Sequence, residues 1–259
     1  MDIIKVKNEG YSRYEELLLE RDKLRKQAFQ YEINYTREFG DLITKVFEQK
    51  IECIRKKKMI SFCQIRINQG KDIEQAELQS YLDVQMKEYN EHLKQMVAEN
   101  EASKKSKEIS QNDLLQIKKT YRKLAKLIHP DINPMTNENT NLKEIWNKIV
   151  IDYECNNLNG LQEDEVLVKN AIEGMNTGVI EIEIPDIEKR IEVLQAEIDE
   201  IMHTNPYMYK YILDDNEAIN ETKKDLQEEL NSYIEYEKEL DKIIEEMLKN
   251  GVTIIWQMK

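Results

Sequence analysis

The chain has 259 residues, a net charge of -13, a pI of about 5.0 and a mean hydropathy of -0.72. That balance argues against nucleic acid and anionic membrane as default partners, and no apolar run approaches membrane-spanning length. Only 7 Gly and 4 Pro punctuate it, too few for a strand-and-turn protein and in keeping with long helices.

Tyr11 to Ile67 reads as one long helix. Ala28, Tyr31, Tyr35, Phe39, Leu42 and Val46 recur at steps of three and four, a coiled-coil-like seam. Gly40 lies inside it, marks a candidate kink and costs roughly 1 kcal/mol relative to Ala. Asn68-Gln69-Gly70 is the expected stop, because Gly suits a left-handed helix end. A second helix from about Asp72 to Glu101 carries Leu78, Leu82, Tyr89, Leu93 and Met96 on one side, and the short connection predicts antiparallel return onto the first helix.

Residues 102–110 are polar, without a clear stripe, and read as a linker or a frayed helix end. Ser110 with Asp113 resembles a capping box and opens a third helix. That helix ends at His129, since the residue before a proline is pushed away from helical dihedrals. Its apolar face is Leu114, Ile117, Tyr121, Leu124 and Ile128; Lys118, Lys119, Arg122, Lys123 and Lys126 fall largely outside it. Five basic residues against one acidic between Asp113 and Ile128 stand out in a chain of charge -13. The loop Asp131 to Thr140 is rich in Asn, Thr and Pro, and a helix from about Asn141 to Asn156 presents Leu142, Ile145, Trp146, Ile149 and Tyr153 as the facing apolar surface. A further short helix is expected over Gln162 to Glu173.

Val179 to Ile184 alternates strictly and is the best strand signal. The run Gly251 to Trp256 is the only comparable segment, and pairing of the two would give one short β pair near the C-terminus. Between them, Ile187, Ile191, Leu194, Ile198 and Ile201 form one seam, and Ile219, Leu226, Leu230, Tyr233, Leu240, Ile244 and Met247 form another. Joined by about a dozen residues, they predict an antiparallel helical hairpin.

Residues 110–157 resemble the central hairpin of a J-domain, the module by which DnaJ-type co-chaperones engage a DnaK-type ATPase. The resemblance rests on His129-Pro130-Asp131, on Tyr121 eight residues before the His with Arg122 and Lys123 beside it, and on Lys118 and Leu124. It continues through Asn133 and through Trp146, Ile149 and Tyr153 of the following helix. The chain departs from the family in lacking an Asp-Tyr-Tyr-type first helix shortly before Ser110. A Gly/Phe-rich segment and CxxC repeats are also missing, and Asp152-Tyr153-Glu154-Cys155 replaces the usual basic motif. The resemblance implies docking on a DnaK-type ATPase through Lys118, Tyr121, Arg122, Lys123, Lys126, His129, Pro130, Asp131 and Asn133. In that picture the basic side chains steer and hold, and the tripeptide triggers ATP hydrolysis in the partner. Pro130 fixes the backbone, so its neighbours project in set directions.

The expected architecture is therefore all-α and elongated: an N-terminal helical hairpin (1–101), a J-like region (102–175) and a C-terminal coiled-coil hairpin (176–259). The coiled coils would hold a client or self-associate. The alternative is a non-catalytic scaffold in which the J-like hairpin is structural only. An enzyme is not expected: His129 and Asp131 flank a turn, no nucleophile stands beside a base, and no glycine-rich phosphate loop occurs. No catalytic residue, cofactor or metal is implied. Cys53, Cys63 and Cys155 are odd in number and widely spaced, which reads as reduced thiols in a cytoplasmic protein rather than a disulfide framework or metal site.

Overall fold

A computed structural model describes residues 4–6, 9–105, 109–174, 180–182, 184–249 and 254–255. The fold is all-α. Among the described residues the helices are α1 (Tyr11–Asn68), α2 (Gln75–Lys105), α3 (Gln111–Ile128), α4 (Pro134–Glu138), α5 (Thr140–Glu154), α6 (Leu158–Gly174), α7 (Ile187–His203), α8 (Tyr209–Leu213) and α9 (Asn216–Lys249). Four short strands accompany them: β1 (Ile4–Val6), β2 (Ile73–Glu74), β3 (Ile180–Ile182) and β4 (Ile254–Ile255). The five-residue α4 was not foreseen in the Asn-rich loop; Pro134 opens it and the Asn133 side chain accepts from the Met135 N–H.

The compact units do not follow the three consecutive segments expected. One unit joins Met1–Glu32 to Lys107–Lys210, and the other joins Ile33–Ser106 to Tyr211–Lys259. The physical reason is the choice of partner for the C-terminal seams. The α7 seam, Ile187, Ile191 and Leu194, is buried with Tyr14 and Leu18 of α1, and Ile198 with Leu24 and Ala28. The antiparallel hairpin expected of residues 176–259 is thereby replaced by parallel pairings with the N-terminal region. In the first unit the register is constant: Ile4 faces Ile180, Arg21 bonds Glu197 and Tyr31 meets Tyr207, each pair 176 residues apart (180-4, 197-21, 207-31). The expected pairing of the two strand signals is corrected in the same way, since β3 pairs in parallel with β1 and β4 with β2.

In the second unit α2 does return antiparallel along α1. Asn100 donates to Asp41 (2.8 Å), Phe47 meets His92 and Phe62 meets Tyr81. The helix runs unbroken through Gly40, so no kink forms there. A Cβ at Gly40 would lie 2.5 Å from Asn100 Oδ1; the glycine serves close helix approach. Along the same helix α9 runs parallel, with Lys56 between Glu237 and Asp241 (2.7 and 2.6 Å) and the Cys53 thiol donating to the Tyr233 carbonyl.

The core of the first unit is the α3–α5–α6 cluster: Ile117, Tyr121, Leu124, Ala125, Ile128, Leu142, Ile145, Trp146, Ile149, Tyr153, Leu161 and Val168. Leu114, expected on this face, is exposed instead. Ser110 caps α3 reciprocally: its Oγ accepts from the Asp113 N–H (3.1 Å) and its hydroxyl donates to the Asp113 carboxylate (2.8 Å).

Candidate partner-docking site

Helix α3 ends where expected. The His129 N–H donates to the Ala125 carbonyl, after which Pro130 breaks the ladder. The turn is then built from its own polar groups. The N–H groups of Ile132 and Asn133 both donate to the His129 carbonyl, and the Asn133 amide donates to the Leu127 carbonyl (3.0 Å). Asn137 donates to the Pro130 carbonyl. Asn133 thus ties the loop to α3 and caps α4, which explains its burial.

The Asp131 N–H donates to His129 Nδ1 (3.0 Å). Nε2 lies 3.5 Å from both the Asp22 carboxylate and the Arg21 guanidinium. The edge of the imidazole packs on Trp146, with centroids 4.6 Å apart. His129 is consequently only 4% exposed, whereas the Asp131 side chain is 40% exposed. The Tyr121 ring stacks on Tyr153 at 3.8 Å, and its hydroxyl donates to Asp22 Oδ2 at 2.7 Å.

Arg21 and Asp22, on the first part of α1, organise this corner. Arg21 contacts Asp22 (2.9 Å), Asp131 (3.4 Å) and Glu197 of α7 (3.5 Å). Tyr14 donates to the Asp131 carbonyl (3.4 Å). Burial by itself would raise the Asp22 pKa, but His129, Arg21 and the Tyr121 hydroxyl together hold it below the ordinary carboxylate value. Burial first, and then the Asp22 charge, push the Tyr121 phenol upward and that of Tyr153 up to about 12. The tripeptide therefore sits in a polar network whose phenols are protonated and whose Asp22 is ionised near neutral pH.

The basic side chains have a different setting. Lys118, Arg122, Lys123 and Lys126 are all exposed. Lys126 pairs with Glu15 of α1 (2.7 Å), and Lys123 pairs with Glu165 of α6. Lys118 and Arg122 line a cleft of about 180 Å³ whose opposite wall includes Glu16 and Glu20 of α1. Pro130 is half-buried. Of the nine expected site residues, Tyr121, His129 and Asn133 are buried, Lys118, Arg122 and Lys126 lie beside α1, and Lys123 turns toward α6.

Arg21, Asp22 and Glu197 were not read from the sequence. Arg21 and Asp22 lie about a hundred residues before the tripeptide and Glu197 about 65 after it, in charge-rich helices where such residues carry no distinguishing pattern. The first part of α1 also touches this hairpin: Leu19 packs on its core, Lys26 sits 4.1 Å over the Tyr153 ring, and Gln30 donates to the Glu154 carbonyl. Among the described residues no group of three or more His, Cys, Asp or Glu comes together to hold a metal, and no helix is long and apolar enough to cross a membrane. Compared with models of protein families, with curated proteins and with solved structures, the chain has no significant match.

Proposed function

We propose that the chain is a J-domain-type co-chaperone that docks on a DnaK-type ATPase through α3 and the His129-Pro130-Asp131 turn and promotes ATP hydrolysis there. The observation that supports this most directly is register. Lys118, Arg122 and Lys126, spaced by four, line one exposed side of α3, and that helix ends in the tripeptide, with the Asp131 carboxylate reaching solvent. A basic stripe in an acidic chain suits an acidic partner, speeding encounter and fixing orientation. The turn must then bind the hydrolysis-competent state of the ATPase better than its resting state. None of these residues makes or breaks a bond. The pairings of α1, α2 and α9 would serve to hold a client or to place the complex, in the cytoplasm.

The burial of His129 favours a second reading, in which the tripeptide is a structural joint of a non-catalytic scaffold or self-associating protein. Single-turnover ATP hydrolysis by a DnaK-type chaperone separates the two. The co-chaperone reading expects stimulation by the full chain, lost in Asp131→Asn and His129→Gln variants whose helicity is native by circular dichroism. Equal rates with and without the protein, in the wild type and in the opened variants described below, would refute it.

A further inference from the structure

The turn, and one end of the basic stripe of α3, already meet α1. Glu15 holds Lys126, and Glu16, Glu20 and Lys23 share a narrow cleft with Lys118 and Arg122. Asp22 takes the Tyr121 hydroxyl and faces the His129 imidazole, and Arg21 reaches the Asp131 carboxylate. Immediately after the tripeptide, Ile132 is fully buried; its cluster is Tyr14 and Leu18 of α1 with Ile184, Ile187, Ile191 and Leu194, not the core of its own hairpin. The turn is thus plugged into the α1–α7 pair, while the buried core of the hairpin is supplied by α3, α5 and α6, with the partly buried Leu19 of α1 packed against it.

We infer that the first part of α1, backed by α7, is an intramolecular inhibitor that mimics the acidic surface of the partner and covers the docking turn. The inference rests on the co-chaperone reading above. In the closed state Lys126 is paired with Glu15 and His129 is out of reach. A partner must displace α1 and break the Ile132 plug before it can touch the turn. Docking strength is then reduced by the fraction of molecules that are open. This arrangement differs from a permanent structural joint in one respect: weakening the α1 contacts must expose His129 while α3, α5 and α6 stay folded on their own core.

The test uses the full chain and two kinds of variant, Glu15→Lys/Glu16→Lys/Glu20→Lys, which turns attraction to repulsion, and Ile132→Ser, which removes the plug. Two readouts are taken. The first is the rate at which diethyl pyrocarbonate modifies His129, mapped by mass spectrometry against the largely exposed His203 as internal reference; His203 has 69% side-chain exposure. The second is stimulation of a DnaK-type ATPase. In the wild type His129 reacts far more slowly than His203. Each variant is expected to raise the His129 rate by about tenfold, since reversing three charges beside the basic stripe, or removing one buried side chain, shifts the open fraction by that order. Stimulation is expected to rise in step, and to vanish when His129→Gln is added. If His129 stays protected in both variants, the contact is fixed and the inference is overturned. If His129 becomes reactive but no variant stimulates, the co-chaperone reading fails and takes the inhibitory role with it. Wild-type stimulation equal to that of the variants, with His129 still protected, would overturn the inhibitor alone.

Discussion

Tyr121→Phe removes one oxygen and leaves everything else in place. The ring keeps its stack on Tyr153 and its contact with Trp146. What disappears is a 2.7 Å bond from a buried hydroxyl to the Asp22 carboxylate. Bonds to a charged acceptor contribute about 1.5–3 kcal/mol. Asp22 retains Arg21 at 2.9 Å and His129 at 3.5 Å, so the carboxylate is not orphaned and the expected loss is about 2 kcal/mol. For a chain of this size that corresponds to a Tm lower by about 4–8 °C. The loss also carries a pH signature. Asp22 has its pKa lowered from 3.8 in the folded protein. Its contribution is therefore complete above the unfolded value and lost as pH falls through the lower folded value. Without the hydroxyl the folded value moves back up, so the deficit of the variant is full at pH 7 and shrinks below about pH 3.8. Urea unfolding followed by Trp146 fluorescence, in a Trp256→Phe background that leaves a single tryptophan, reports on this unit. A variant with the wild-type midpoint at pH 7, or with a deficit that grows as the pH is lowered, would refute the reasoning.

Two further outcomes are expected. Ile149 is fully buried in the hairpin core, so Ile149→Ala should cost about 3 kcal/mol in the same fluorescence assay; a cost under about 1 kcal/mol would mean that the core closes over the gap. Asp164→Asn should stabilise. Asp164 is buried, and its Oδ2 and that of Asp152 lack hydrogen-bond partners; burial raises its pKa against the opposing Lys148 ammonium. An acid with a raised folded value weakens the fold once ionised, and that cost is relieved as pH falls. The asparagine should therefore gain about 1 kcal/mol at pH 7, net of the half-exposed Lys148 pair, and nothing near pH 3. A loss at pH 7 would show the lysine pair to be the larger effect.

The α3–α5 hairpin was legible because its signals are local. The Ser110 cap, the spacing of Ile117, Tyr121, Leu124 and Ile128, and the stop at Pro130 each depend on residues three or four apart, and the helix bounds Gln111–Ile128 follow from them. The long helix α1 and the antiparallel return of α2 were legible for the same reason, the second because a connection of a few residues leaves little choice. The seams of α7 and α9 were equally plain as seams, but a heptad pattern states that a face must be covered and not by what. Whether Ile191 would meet α9 or Leu18 of α1 was decided by burial across about 170 residues of chain. Strand signals behave alike: β3 and β4 were visible as β-rich runs, yet their partners are β1 and β2. The same holds at the tripeptide. Its chemistry is written in three consecutive residues, whereas its accessibility depends on Arg21, Asp22 and the Ile132 plug. Local spacing determines which side chains share a face. Only the tertiary structure decides which face covers it, because apolar seams and buried charges select partners by shape and charge balance among all the surfaces the chain can bring together.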